Sequence, residues 1–191
     1  MGEATQPACS WSKRWRCCVK IRYLGLFVLL ATLGFAQDKG SDGEAAFQKL
    51  SALAGDWEGR YEWTGGRPGG DLKASYYLTG NSSALVENLI MGGVPSMTSV
   101  YHLDNGDLRV THYCAAKNQP RLKAGKIDIA KGTIGFAFVD VTNVASLAAP
   151  FVHGLDVRLP DADHLELTFH FESAGKKSDE HITLKRVGAK S

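Results

Sequence analysis

Side chains that could do chemistry lie close together in the segment RVTHYCAAKNQPRL, which spans residues 109–122. His112 and Cys114 flank Tyr113 there, and a further histidine, His153, follows later in the chain. A neutral imidazole accepts a hydrogen bond or ligates zinc, copper or iron, and a thiolate is both a nucleophile and a metal ligand. These residue types indicate a small-molecule site, a metal or haem site, or a nucleophilic enzyme.

The spacing of these residues does not favour an enzyme. A catalytic Cys114 would need a base within hydrogen-bond reach and a third group to orient that base. His112 lies two residues away on the same predicted strand, about 6.5–7 Å along it. The sequence contains no GxSxG, HExxH, CxxC or phosphate-loop motif, and Asp161 and Asp163 belong to a predicted solvated turn. We therefore predict no enzymatic activity and no catalytic residues.

Hairpin register predicts which of these side chains face inward. Asn105-Gly106 is a strong signal for a two-residue turn. This turn places three pairs of residues opposite each other: Tyr101 and Val110, Ser99 and His112, and Met97 and Cys114. Because this set is mostly apolar, it is predicted to face the interior, whereas Tyr113 faces outward.

The same reasoning applies to the hairpin around the PDAD segment at 160–163. His153 shares a face with Leu155, Val157 and Leu159, and the register places it opposite Phe171. His153 is therefore predicted to face inward. The sequence thus predicts that His112, Cys114 and His153 are the only inward ionisable side chains with metal-binding or nucleophilic potential.

Three roles are open to these inward side chains. In the first, a hollow barrel binds a small apolar or amphipathic molecule, which a few polar residues orient. In the second, His153 or His112 ligates a metal or a haem iron. In the third, the residues are packed in a ligand-free, non-catalytic interaction module. We predict the first role, with no cofactor expected and haem as the alternative. The predicted ligand-binding residues are His112, Cys114, His153, Ser99, Tyr101, Asn118, Gln119 and Arg121.

The elements that position these residues are predicted to be strands. Segments with a period of two are separated by Gly, Asn, Asp and Pro at 57–63, 72–79, 84–91, 97–103, 108–115, 121–130, 133–140, 151–159, 164–172 and 181–187. Short connections imply antiparallel neighbours, and closing such a meander removes its exposed edges. The sequence therefore predicts an all-β, ten-stranded antiparallel up-and-down barrel, preceded by a short helix that ends near Gly55.

The first 36 residues have the features of an export signal. Lys20 and Arg22 precede an apolar run at 23–33, which is shorter than the roughly 20 residues that span a bilayer. Gly34 and Ala36 then stand at −3 and −1 of a cleavage site. We predict a signal peptide at 1–36 whose true start is Val19, a linker at 37–43 and a barrel domain at 44–191. The mature protein is expected to be periplasmic or secreted, without membrane attachment.

Charge and cysteine distribution support this division. The net charge is +2, but removing residues 1–36 leaves 17 basic and 19 acidic residues. The mature domain is then nearly neutral and lacks the excess of basic residues that is typical of nucleic-acid-binding proteins. Of the cysteines, only Cys114 lies outside the predicted signal, so an internal disulfide is excluded from the mature domain. The expected partner is a small apolar or amphipathic molecule, and the oligomeric state is left open.

The segment LSALAGDWEGRYEW at 50–63 resembles the opening of calycins, the lipocalin-like barrels, with Gly-x-Trp at the start of the first strand. Together with VYHLDNGDLRVTHYCAAKNQPR, its LAG-W-G form is similar to nitrobindin-type barrels and related exported bacterial domains of unknown function. The resemblance covers roughly residues 47–187. It implies a lipocalin-like barrel in which Trp57 closes one end and Arg186 packs across it.

The same resemblance implies a haem site, because nitrobindin-type barrels bind haem through a histidine on a strand close to the C-terminus. The matching position is His181. Alternation predicts that Ile182 and Leu184 face inward, which sends His181 outward. His153 and His112 are therefore the internal candidates for a haem or metal ligand.

Overall fold

The structure, a computed structural model, describes residues 42–146 and 148–188. The predicted signal peptide and nearly all of the linker lie outside these residues. The elements are α1 (Asp42–Ser51), β1 (Gly55–Trp63), β2 (Gly70–Thr79), β3 (Ala84–Met91), β4 (Val94–Asp104), β5 (Asp107–Tyr113), β6 (Gln119–Asp128), β7 (Thr133–Thr142), β8 (Phe151–Arg158), β9 (His164–Ser173) and β10 (Lys176–Arg186). A single 3-10 turn at Thr64–Gly66 follows β1 among the described residues.

The strands form a closed antiparallel barrel in which each strand pairs with its neighbours in sequence and β1 pairs with β10. The predicted ten-stranded barrel with a short helix is therefore confirmed. We call the end beside α1 the lower end. The opposite, upper end carries the connections at 64–69, 92–93, 114–118, 143–150 and 174–175. No helical segment within 42–146 and 148–188 has the length and apolar character needed to cross a bilayer.

The register of the β4–β5 hairpin is the predicted one. Ser99 lies opposite His112, and Asn105 and Gly106 have φ angles of 52° and 84°, as a two-residue type I′ turn requires. His112 is buried, whereas the neighbouring Tyr113 is 50% exposed. The inward and outward faces of this hairpin are therefore as the alternation predicted.

The β8–β9 hairpin departs from the predicted register at its upper end. Val152, and not His153, lies opposite Phe171, and the register shifts between Val152 and Gly154. The predicted pairing of His153 with Phe171 is therefore wrong. A bulge inserts one unpaired residue, which simple alternation does not anticipate. The His153 ring stacks on Phe151 at 4.1 Å between ring centres and is only partly exposed.

The lower end is closed by Trp57 and Arg186, which face each other across the β1–β10 pair. The Trp57 side chain is 1% exposed and its Nε1–H donates to the carbonyl of Leu53 at 2.9 Å. The Arg186 guanidinium lies 4.3 Å from the centre of the Trp57 ring. It donates to the backbone carbonyls of Ala52, Ala54 and Ala162. These hydrogen bonds join β10, the last strand, to the segment between α1 and β1.

We expect Arg186→Ala to lower the free energy of unfolding by about 1–3 kcal/mol, because it leaves charge-assisted hydrogen bonds to these carbonyls unmade. Lys185→Ala, at the exposed neighbouring position, serves as the control, and its effect should stay within about 0.5 kcal/mol. Urea unfolding followed by tryptophan fluorescence measures both variants. Equal stability of the two would show that Arg186 does not close the barrel.

Candidate functional site

A row of buried polar side chains lies on the inner face of four adjacent strands, β2 to β5. Tyr76 on β2 lies opposite Glu87 on β3, Glu87 opposite Ser99 on β4, and Ser99 opposite His112 on β5. Each is 3% exposed or less, and Tyr101 joins them from β4. We call these five residues the polar cluster. Adjacent strands hold their inward side chains side by side, so the register alone brings the cluster together.

Glu87 is the centre of the polar cluster. Its Oε2 accepts hydrogen bonds from the hydroxyls of Tyr76 at 2.8 Å and Tyr101 at 3.1 Å, and its Oε1 accepts one from Ser99 at 2.8 Å. Burial raises the pKa of Glu87, and these hydroxyl donors oppose the rise. Burial and the neighbouring carboxylate raise the pKa of both tyrosines well above the ordinary value. Both tyrosines therefore stay protonated and act as donors.

His112 forms the end of this hydrogen-bonded chain. Because the Ser99 hydroxyl proton is donated to Glu87, the Ser99 oxygen accepts from Nδ1 of His112 at 2.9 Å. This arrangement assigns the ring proton to Nδ1 and leaves the lone pair on Nε2. Burial lowers the pKa of His112 to about 4, so the ring is neutral at pH 7. Among the described residues Nε2 has no hydrogen-bond partner. The interior therefore contains an oriented acceptor.

Glu180 is a second buried carboxyl group, nearer the upper end. It lies opposite Trp63 on β1 and Phe169 on β9 and is 2% exposed. Burial raises its pKa to about 7, and the charge of Arg67 works against this rise. Its Oε2 has no hydrogen-bond partner within the described part of the chain.

Cys114 is a buried thiol in the upper connection that follows β5. Burial, followed by a smaller contribution from the Glu180 charge, raises the pKa of the thiol above its ordinary value. A thiol in such surroundings stays protonated at neutral pH, and the protonated form is a poor nucleophile. The electrostatics of this residue therefore oppose a catalytic thiolate.

Aromatic side chains surround these polar atoms at the upper end. Trp63 and Phe171 lie 5.0 Å apart between ring centres, and the ring of His153 is 5.2 Å from that of Phe138. Trp63, Phe138, Phe171 and His153 are all partly exposed. The Nε2 atom of His153 is buried and, within residues 42–146 and 148–188, lacks a partner. Apolar walls with a few unpaired polar atoms are typical of small-molecule sites.

The other predicted site residues divide between the inside and the outside of the barrel. Asn118 is buried and donates from Nδ2 to the carbonyl of Pro150 at 2.9 Å, which joins two upper connections. The Oε1 atom of Gln119 accepts a hydrogen bond from Thr142 at the surface. Arg121 is exposed on the outer wall, where it pairs with Asp140 and lowers the pKa of that carboxyl.

The structure therefore brings Ser99, Tyr101 and His112 into one cluster and holds Cys114, His153 and Asn118 near the upper end. Gln119 and Arg121 do not reach either group. His181 is exposed and bonds Thr168 on the outer wall, as the register predicted. Nowhere in the described chain do three His, Cys, Asp or Glu side chains converge in a way that could hold a metal ion.

Sequence reasoning missed both buried carboxyl groups. The prediction that His112, Cys114 and His153 are the only inward ionisable side chains of this kind is wrong, because Glu87 and Glu180 face inward as well. The alternation of inward and outward side chains along each strand indicates that both carboxyl groups face inward. In ALVENLIM, Glu87 shares the face of Leu85 and Leu89, and the argument that sends His181 outward sends Glu180 inward.

Concave surfaces on the outer wall are distinct from these interior groups. One groove of about 500 Å³ is lined by Glu58, Asp71, Lys73 and Ile90. Its carboxylates are solvated, and Asp71 pairs with Arg60. We place the candidate site in the interior because His112, His153 and Glu180 each have a buried polar atom there without a hydrogen-bond partner in the described residues.

No protein-family model and no curated protein matches the chain. A protein of unknown function from the DUF3598 family of Nostoc punctiforme PCC 73102 has a similar structure, with a TM-score of 0.50 and 16% identity. That match covers 72% of this chain and 48% of the Nostoc protein, so the chain spans about half its length. Rv2717c from M. tuberculosis gives a TM-score of 0.46 and 17% identity, with 74% of this chain and 96% of that chain covered. The Nostoc likeness shows a shared barrel fold.

The lowered pKa of His112 predicts acid sensitivity. The pKa of His112 in the folded protein, about 4, lies below the ordinary value of 6.5. Between these two pH values the unfolded chain therefore binds more protons than the folded protein. The stability that the buried, neutral His112 ring contributes is therefore complete above about pH 6.5 and is lost as the pH falls towards about 4. At about 1.36 kcal/mol per pKa unit, we expect a loss of about 3 kcal/mol.

Urea unfolding of wild type and His112→Gln at several pH values measures this contribution. The stability difference between the two proteins should shrink by that amount on acidification. His181→Gln, which removes an exposed histidine, is the control and should parallel wild type. Parallel pH curves for wild type and His112→Gln would show that the ring is not held neutral by burial.

Proposed function

We propose that this protein binds a small amphipathic molecule in the upper half of its barrel. The observation that carries the proposal is a set of buried polar atoms that have no hydrogen-bond partner in the described residues and that lie near aromatic rings. These atoms are Nε2 of His112, Oε2 of Glu180 and Nε2 of His153. A buried polar atom without a hydrogen bond costs about 1–3 kcal/mol. A ligand that hydrogen bonds to them would offset that cost.

Packing supports the upper half as the place of binding. The lower interior is filled by large side chains that are 4% exposed or less, including Trp57, Phe136, Leu155 and Leu184. The side chains of Trp63, Phe138 and Phe171 at the upper end are partly exposed instead. A ligand entering from the upper end would contact Trp63, Phe138 and Phe171 with its apolar part. Its polar group would then meet His112 or Glu180.

Binding without a chemical reaction is part of the proposal. The Cys114 thiol is kept protonated by burial, and Nδ1 of His112 is engaged by Ser99. Glu87 is occupied by its hydroxyl donors. With the predicted export signal, we propose that binding takes place outside the cytoplasm.

A neutral fluorescent probe, N-phenyl-1-naphthylamine, tests the proposal with the full chain. We expect saturable fluorescence enhancement that weakens about tenfold in Trp63→Ala or Phe171→Ala, because each variant removes buried aromatic contact with the probe. Tyr77→Ala, which removes a 50% exposed tyrosine from the outer wall, should bind like wild type.

Native mass spectrometry of gently purified protein supplies an independent readout, since a retained molecule would appear as added mass. Absence of saturable probe binding, or equal weakening in all three variants, would contradict a site at the upper end. In that case the packed interaction module becomes the better description.

Haem is a second candidate because the neutral, oriented Nε2 of His112 is chemically suited to be an axial ligand of iron. His153 offers a second buried ring nitrogen without a partner in the described residues. When bound, haem would supply an iron centre able to bind gaseous molecules or react with oxidants. Phe169 beside His112, and Phe138 and Phe151 beside His153, would be its apolar neighbours.

Adding hemin to the purified protein separates the two candidates. If the protein binds a small amphipathic molecule, we expect only the broad absorption of free hemin. A sharp Soret band that is lost in His112→Ala or His153→Ala, and kept in His181→Ala, would show that the protein binds haem and would favour haem over an amphipathic molecule as its ligand.

A further inference from the structure

The surroundings of Glu180 have the composition of a site for an organic cation. Trp63 and Phe169 flank the carboxyl group from the neighbouring strands, and Phe171 packs against Trp63. Aromatic faces attract cations through their quadrupole, most strongly when water is excluded. A carboxyl oxygen without a described partner lies among these rings.

A cation of the protein already occupies one of these rings. The Arg67 guanidinium carbon lies 3.3 Å from the centre of the Trp63 ring, and Nη2 donates to Ser178 at 3.3 Å. Arg67 is exposed in the connection at 64–69, and its charge acts on Glu180. Among the described residues no salt bridge joins the two. Arg67 thus occupies the ring face that a cationic ligand would use.

We infer that the amphipathic molecule bound at the upper end is an organic cation, an amine or quaternary ammonium with an apolar tail. Its charged group contacts Glu180, Trp63 and Phe171, and Arg67 leaves the Trp63 ring as the ligand enters. The inference rests on the proposed function and names the class of ligand for that site.

The charges around the site favour a cation over an anion. The groups that face Glu180 are Arg67 from the connection at 64–69 and Cys114 from the connection at 114–118, while Trp63 and Phe169 carry no charge. His112, lower on β5, is neutral. An anion would meet the Glu180 carboxyl group, whereas a cation would stabilise its ionised form.

Probes of equal chain length and different head group test the inference: decyltrimethylammonium, decanol and decanoate, each below its micelle concentration. Titration calorimetry of the full chain should give about tenfold tighter binding of the ammonium than of the alcohol. Decanoate should bind most weakly. Arg67→Ala should tighten ammonium binding several-fold, because it removes the competing cation.

Glu180→Gln should abolish the preference for the ammonium while decanol binding persists. Glu62→Gln, an exposed carboxylate beside Trp63, is the matched control and should behave like wild type. Circular dichroism and decanol binding report whether Glu180→Gln is folded. The exposed position of Arg67 makes its variant informative even if Glu180→Gln fails to fold.

The pH dependence gives a further readout. Because Glu180 ionises near pH 7, ammonium affinity should rise from about pH 6 to about pH 8 and binding should release protons. Decanol affinity should change little over this range, and Glu180→Gln should remove the rise.

The possible outcomes separate the two proposals. Equal affinity for all three probes would overturn the cation inference and leave binding at the upper end intact. Tightest binding of decanoate, lost in Arg67→Ala, would also overturn it, since Arg67 would then be an anion receptor. Failure of every probe to bind would contradict the proposed function itself.

Discussion

The pairing of the first strand with the last is the constraint on which the rest of the structure depends. One register along β1 and β10 places Trp57 opposite Arg186 and Trp63 opposite Glu180. Closure leaves no free sheet edge and confines every inward side chain to a common interior. The same strand pair therefore builds both the closure of the lower end and the candidate site near the upper end.

An arginine lies on a tryptophan ring at each end of the barrel, but the two arginines are held by different numbers of contacts. At the lower end, Arg186 covers Trp57 and its guanidinium donates to three backbone carbonyls, so its position is fixed by many contacts. At the upper end, Arg67 covers Trp63 from an exposed connection and, within the described part of the chain, has one side-chain hydrogen bond, to Ser178. The first arrangement is a structural closure, while the second is the one that we propose a cationic ligand displaces.

The two buried carboxyl groups show a similar contrast. Glu87 accepts hydrogen bonds from three hydroxyls, and a buried polar network that is satisfied in this way rigidifies the interior. It also fixes the orientation of His112 through Ser99. Glu180 has an oxygen without a partner in the described residues and a pKa near 7. Burial raises the pKa of both carboxyl groups, and perturbed groups cluster at functional sites. Only Glu180 combines the raised pKa with an oxygen that is free, within the described residues, to bind a ligand.

The sequence by itself determined the barrel, its strand number and the inward positions of His112, Cys114 and Ser99. Period-two alternation and the Asn105-Gly106 turn depend only on residues that are close together in the sequence, so the sequence alone predicts them. Alternation also places Glu87 and Glu180 on the inward face, because each lies two residues from an inward apolar side chain.

Only the tertiary structure decided the position of His153, the hydrogen bonds of Glu87 and the placement of Arg67 on Trp63. The bulge at His153 depends on how β8 meets both of its neighbours, which no single strand records. The hydrogen bonds of Glu87 come from strands on both sides of it, and Arg67 reaches its ring through an irregular connection. Each of these features depends on how neighbouring strands or a connection are placed in space, and the order of residues along one strand does not contain that information.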